Sequence, residues 1–167
     1  MDIDKELDKF RSQVYCSHVN EKQMQPEIEY STLNQLMAMG KVALLALDVR
    51  LQAVDLSAPK LWALVWIAQL ETPPAVTELA DCMSSAKSNI TALVDRLEKE
   101  ELVQRIDDPD DRRRVLIAMT DAGKQRYDAG MAIFHELNQE IRDVFQPEDF
   151  ARLEDYLARL RELLETE

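Results

Sequence analysis

The 167-residue sequence predicts a mainly α-helical protein that carries one small β-hairpin between long N- and C-terminal helices. Three observations carry that prediction. Apolar residues recur at intervals of three and four over most of the chain, which is the spacing of one helical face. Two runs, at 102–106 and 115–119, are instead continuously apolar or alternating and read as strands. Between them lies the polar turn Asp107-Asp108-Pro109-Asp110-Asp111, followed by Arg112, Arg113 and Arg114.

Residues 1–29 form an extension in which 4–16 can make a short helix with Leu7, Phe10 and Val14 on one stripe. Over 30–54, Leu33, Met37, Gly40, Leu44, Leu47 and Leu51 fall on one face of a long helix built to pack against another helix. Gly40 permits close approach there at a cost in helix propensity. The apolar section 42–47 is bracketed by charges, so it reads as core or subunit interface and not as a membrane element.

Ser57 is placed to cap the next helix, with Pro59 and Lys60 in its first turn. Leu61, Leu64, Val65 and Ala68 make its inward face, and Trp62 and Trp66 share a neighbouring one. Both tryptophans are expected to pack, with the alternative that one lines a ligand cavity. Pro73 and Pro74 end the helix. A short helix follows at 76–83, with Leu79, Ala80 and Met83 inward. After a break at 84–86 comes a second, at 87–100, with Ile90, Leu93, Val94 and Leu97 inward. Two short helices joined tightly make a helix-turn-helix, a weak signal alone. The hairpin directly behind them sharpens it, because a helix can enter the major groove while a hairpin tip crosses phosphates or reaches the minor groove.

Thr120 and Asp121 mark a new helix start. Tyr127, Met131, Phe134, Asn138, Ile141 and Phe145 trace one side, Gln146-Pro147 interrupts, and Leu153, Leu157, Leu160 and Leu164 supply a second stripe. Such stripes either join two subunits or complete a single-chain core. The fold class is therefore a winged helix-turn-helix, mainly α, with a small β-hairpin wing and long N- and C-terminal dimerisation helices. Its parts are the extension at 1–29, a dimerisation helix at 30–56, the reading domain at 57–120 and C-terminal dimerisation helices at 121–167.

The formal charge of −12 opposes binding to a polyanion, but its distribution weakens the objection. Residues 84–114 hold eight acids against seven bases, whereas residues 115–167 hold twelve against six. Cys16 and Cys82 stand far apart, and no CxxC pair or Cys/His cluster supports a metal, so no metal or cofactor is expected. The charged start lacks a secretory or membrane-spanning run, which points to a cytoplasmic protein without a membrane partner. No phosphate-binding loop, dinucleotide loop or nucleophile elbow supports an enzyme.

The segment from Leu79 to Gly123 resembles the multiple-antibiotic-resistance regulator (MarR) family. Carrying the resemblance are Leu79-Ala80, the phrase from Ile90 to Leu97, Leu102-Val103 with Arg105, the wing phrase from Asp108 to Arg113, and Met119-Thr120-Asp121-Ala122-Gly123. The resemblance implies a homodimeric transcription regulator on double-stranded DNA, acting as a repressor of a pseudo-palindromic operator. It implies Ser88, Asn89 and Thr91 as contacts of the reading helix, with Arg113 at the duplex and Asp111 positioning the wing. Arg112 and Arg114 are secondary contacts, and Arg96 contacts phosphate or forms a local salt bridge. A small aromatic or anionic effector would relieve binding from a cavity lined by Met37, Trp62 and Trp66, unless these residues only pack. Cys16 is either an incidental thiol or a redox sensor.

Several residues depart from the family pattern. Ala75 and Ala86 supply no side-chain caps, Ala92 replaces a longer polar residue, and Glu101 stands where glycine is usual. A non-glycine residue at 101 must avoid the left-handed conformation or accept its strain. These departures leave open an acidic dimer that binds a ligand or protein and has weak or lost DNA binding.

Overall fold

A computed structural model describes residues 31–111 and 113–165. The proposed N-terminal extension, with Cys16, and Arg112 of the wing lie outside the described residues.

Helix α1 (Thr32–Leu51) starts at Ser31, whose hydroxyl accepts the Asn34 N–H at 3.2 Å, and runs into a 3-10 turn at Gln52–Val54. Helix α2 (Ala58–Gln69) follows, and here the expected cap is corrected. Ser57 occupies the N-cap position but makes no side-chain cap; the Asp48 carboxylate of α1 accepts the Ala58 N–H instead. This bond satisfies an orphan helix donor and ties α2 to α1 at the same time. Leu61, Leu64 and Val65 are buried as expected, joined by Ala63 and Ile67. Ala68 is exposed with Gln69, on the side of the last turn of α2 that faces away from the buried Ile67.

Helices α3 (Val76–Cys82) and α4 (Lys87–Lys99) form the helix-turn-helix, and strands β1 (Val103–Asp107) and β2 (Val115–Met119) form the wing. The strands are antiparallel, pairing Val103 with Met119 at the base and Asp107 with Val115 at the outer end. The Pro74 carbonyl accepts the Ile117 N–H at 2.8 Å and Ala75 bridges Leu116, so the chain entering α3 extends the hairpin's edge. Strand β1 begins one residue later than the pattern suggests because Leu102 closes the end of α4, its N–H donating to the Leu97 carbonyl at 2.9 Å.

Thr120 caps helix α5 (Asp121–Asp143), accepting the Gly123 N–H at 2.9 Å, and Pro147 opens helix α6 (Pro147–Glu165). One core joins the end of α1, all of α2, the inner faces of α3 and α4, and the base of the wing, with Leu51, Leu61, Leu64, Leu79, Leu97 and Ile117 fully buried. Helix α5 reaches this core through a glycine: a Cβ at Gly130 would stand 2.8 Å from Leu61 Cδ1.

The outer helices leave apolar surface open. Leu33, Met37, Val42 and Leu44 of α1 are exposed, and among the described residues outside the helix's own backbone nothing lies within 4 Å of where a Gly40 Cβ would stand. Helix α6 buries no residue, and Leu157, Leu163 and Leu164 face outward. These stripes do not complete the core of a single chain, which favours the subunit-joining reading of the two alternatives. No helix among the described residues is long and apolar enough to cross a membrane.

Candidate nucleic-acid interface

Helix α4 buries Ile90, Leu93, Val94 and Leu97 against the core, which turns its opposite face outward. Its first turn presents Lys87, Ser88 and Asn89, all exposed. Ala86 at the N-cap offers no side-chain acceptor, so the first N–H groups are left to the backbone, with Asn89 N–H reaching the Ala86 carbonyl at 2.9 Å. The Ser88 and Asn89 side chains make no hydrogen bond with described residues, and the helix dipole adds partial positive charge at this end. Thr91 is half-buried and its hydroxyl donates to the Lys87 carbonyl at 2.9 Å; Arg96 is exposed and its Nε donates to the Ala92 carbonyl at 3.1 Å.

The two helices are joined through Ser84, which takes φ 46°, and α4 ends at Glu101 with φ 60°. Glu101 therefore accepts the left-handed strain. Its N–H donates to Glu98 and the Leu102 N–H to Leu97, closing the helix as a Schellman turn. Ser84 and Ser85 repeat the pattern onto Asp81 and Ala80. Arg105 of β1 then fastens the wing to α4: it bonds Asp95 at 2.6 Å and also pairs with Glu98. The bond to Asp95, with Coulombic help from Glu98 and against partial burial, raises the already high Arg105 pKa.

The wing tip is organised by Asp108, a residue the sequence reading did not single out. Only 9% exposed, it accepts the N–H groups of Asp110 at 2.8 Å and Asp111 at 3.3 Å. The signal was present as an aspartate before Pro-Asp, a composition that favours Asx turns. Asp111 in turn accepts the Arg113 N–H at 2.9 Å through its carboxylate, while the Arg113 side chain is exposed and meets no carboxylate among the described residues. Arg114 turns the other way. Its guanidinium bonds Glu78 of α3 and lies 3.6 Å from Asp108. Glu78 also accepts the Ala75 N–H at 2.8 Å, the half of a capping box that the glutamate can make, while Ala75 offers no side-chain acceptor to the first turn of α3. That backbone bond, then Arg114, holds the Glu78 carboxyl below the usual carboxylate range.

The structure leaves Ser88, Asn89 and Arg96 exposed along α4 and Arg113 exposed at the tip of the wing. Met37, 54% exposed, lies on the open face of α1. Trp62 and Trp66 are half-buried against the core, Trp62 meeting the Phe134 ring edge-on at 5.4 Å. A separate cleft of about 680 Å³, lined by Val49, Arg50, Ala53, Ile133, Glu136 and Glu140 among others, takes in none of these three residues. Across it Arg50 grips Glu140 with bonds of 2.6 and 3.0 Å and lowers that carboxyl's pKa. Cys82 is a half-buried free thiol, and no cluster suited to a metal ion occurs among the described residues.

The MarR family pattern matches residues 56–115, the reading helices and most of the wing. The chain is 31% identical over 106 residues to the uncharacterized HTH-type transcriptional regulator YsmB of Bacillus subtilis (strain 168), covering 64% of this chain and 72% of that protein. It is similar to CouR from Rhodococcus jostii RHA1, solved with p-coumaroyl-CoA bound, at 25% identity and a TM-score of 0.69 over 81% of this chain and 95% of that one. The MepR–DNA complex of S. aureus shares the fold, with a TM-score of 0.74 at 18% identity over 81% and 99% of the two chains. The chain therefore belongs to the MarR family of winged helix-turn-helix transcription regulators, which work as DNA-binding homodimers and not as enzymes.

Proposed function

We propose that two copies of this chain occupy a pseudo-palindromic operator in the cytoplasm and repress transcription by blocking it. The observation that carries this reading is the exposed first turn of α4, where the Ser88 and Asn89 side chains are free of hydrogen bonds with described residues, together with a wing whose exposed Arg113 has no carboxylate partner among the described residues. Ser88 and Asn89 are the base-reading candidates, since an asparagine amide matches the donor and acceptor on adenine's major-groove edge. Arg113 approaches the backbone, and Asp111 holds the residue's main chain in place. Thr91 and Arg96 are phosphate contacts that exchange their present intrahelical bonds for a phosphate oxygen. The open apolar faces of α1 and α6 supply the subunit contact, and a two-fold dimer sets its readers about one DNA turn, roughly 34 Å, apart.

A small aromatic or anionic effector that relieves binding belongs to the same reading, with Met37, Trp62 and Trp66 as its lining. The half-buried tryptophans support it, as does the bound acyl-CoA of the related CouR. Such a molecule acts only by binding the DNA-competent and incompetent dimers unequally.

The test is duplex binding by the folded protein across a panel of fragments and salt concentrations, with sedimentation to establish the dimer. Binding that steepens as salt falls and weakens in Arg113→Ala supports the reading. A folded, ligand-free dimer that binds no duplex overturns it, and binding untouched by the substitution rejects the assignment of Arg113.

A further inference from the structure

Arg114 belongs to the densest basic run of the sequence, and its position in the wing suggests a third cation for phosphate. Its surroundings assign it differently. We propose that Arg114 is a positioning residue that clasps the wing tip to the first reading helix, and that it makes no phosphate contact. This inference rests on the DNA-binding reading above.

The side chain is 41% exposed, yet its guanidinium and its main chain are both held across the neck of the hairpin. The guanidinium pairs with Glu78 in the first turn of α3 and lies 3.6 Å from the largely buried Asp108. The main-chain N–H donates to the Asp111 carbonyl at 2.9 Å, and the carbonyl accepts the Asp108 N–H at 3.1 Å. Two carboxylates thus surround one guanidinium, and a phosphate arriving there meets an acid excess. Arg113, one residue earlier, has the opposite setting: an exposed side chain without an acid partner among the described residues.

The clasp has a mechanical role that the rest of the wing leaves unfilled. Strand pairing stops at Asp107 and Val115, while the Ile117–Pro74 bond, the Ala75–Leu116 bridge and the pairs of Arg105 with Asp95 and Glu98 anchor the middle of the hairpin and leave its tip to other contacts. A two-stranded hairpin is marginal in water without outside support. Arg114 supplies that support at the outer end, linking the tip that carries Arg113 to α3. Asp108 contributes twice, gathering the tip amides with one oxygen while the other faces Arg114. The position of the tip relative to α3 is therefore set through Glu78, Arg114 and Asp108, while Arg105 ties the middle of the wing to α4.

The experiment compares wild type, Arg114→Ala and Glu78→Gln, the last of which keeps an acceptor for the Ala75 N–H. Two readouts are taken: amide hydrogen exchange over residues 108–117 in the free protein, and affinity for a mixed-sequence duplex as a function of salt. The clasp predicts faster exchange of the wing amides in both variants. It also predicts binding about two- to fivefold weaker in Arg114→Ala, the scale of an exposed ion pair, with the slope of log affinity against log salt essentially preserved. A phosphate contact predicts unchanged exchange and a slope reduced by about 1.8 for the two copies of Arg114 in a dimer. Either of those results overturns the proposal. If wild type binds no duplex, the functional reading fails separately, and the exchange arm alone decides the clasp.

Discussion

Replacing Glu101 with glycine should stabilise this protein, an unusual direction for a glycine substitution. Glu101 closes α4 at φ 60°, with its own N–H on Glu98 and the next one on Leu97, both at 2.9 Å. A Cβ in the left-handed region costs roughly 1–2 kcal/mol. Glycine removes that cost but loses more chain entropy on folding, about 0.5–1 kcal/mol. The difference leaves a gain of about 0.5–1 kcal/mol, or roughly 1–4 °C in Tm for a chain of this size. No side-chain contact is forfeited: the Thr120 hydroxyl bonds the Glu101 carbonyl, which every residue retains. Thermal unfolding followed by circular dichroism is the assay, at fixed protomer concentration because dimer stability depends on it. Glu101→Ala removes the charge and keeps the Cβ, so it should gain little, and Glu101→Asn should fall between, asparagine tolerating this region better. A Tm for the alanine variant equal to that of the glycine variant would refute strain as the cause, and so would a glycine variant that melts lower.

Two further outcomes follow from single contacts. Gly123→Ala should lower stability by about 1–3 kcal/mol, read as a lower Tm, because its Cβ would stand 1.9 Å from the Leu102 carbonyl oxygen, a backbone atom that cannot swing aside. Wild type should melt above Glu78→Gln at neutral pH, and the gap should close on acidification. The folded Glu78 carboxyl lies below its ordinary value of 4.5, so its contribution is complete above that value and is lost as pH falls through the folded one. Melts from pH 7 to 3 check this, and a gap that widens in acid contradicts it.

The elements themselves were legible because their signals are local. Helical spacing marked α2, α4 and α5, Pro73-Pro74 and Pro147 marked breaks, and the acid-proline turn marked the wing. What escaped depends on partners distant in sequence. Ser57 has the right chemistry for a cap, yet Asp48 does the work from the preceding helix. The three left-handed residues, Asp55, Ser84 and Glu101, each end a helix by the same bonding pattern, and none is the glycine that would have announced it. In the candidate interface, spacing located the reading helix and the arginine run, but it could not show which arginines face acids. That distinction requires Arg114 to meet Glu78, 36 residues away in sequence.

The same pairings answer the objection raised by an acidic chain that binds DNA. Asp95 and Glu98 are matched to Arg105, Glu78 and Asp108 to Arg114, and Glu100 to Lys60. These acids position helices and wing, each facing a cation within the protein, although five acids share three bases. Lys87, Arg96, Lys99 and Arg113 are left without a carboxylate partner among the described residues, and Arg113 and the start of α4 stand on the candidate interface. Net charge governs long-range attraction, whereas the contacts are decided by which cations lack an internal partner. An acidic total and a local phosphate-binding surface are therefore compatible. The cost falls on approach: at low salt, repulsion from the rest of the dimer opposes the very contacts that low salt strengthens, and salt screens both.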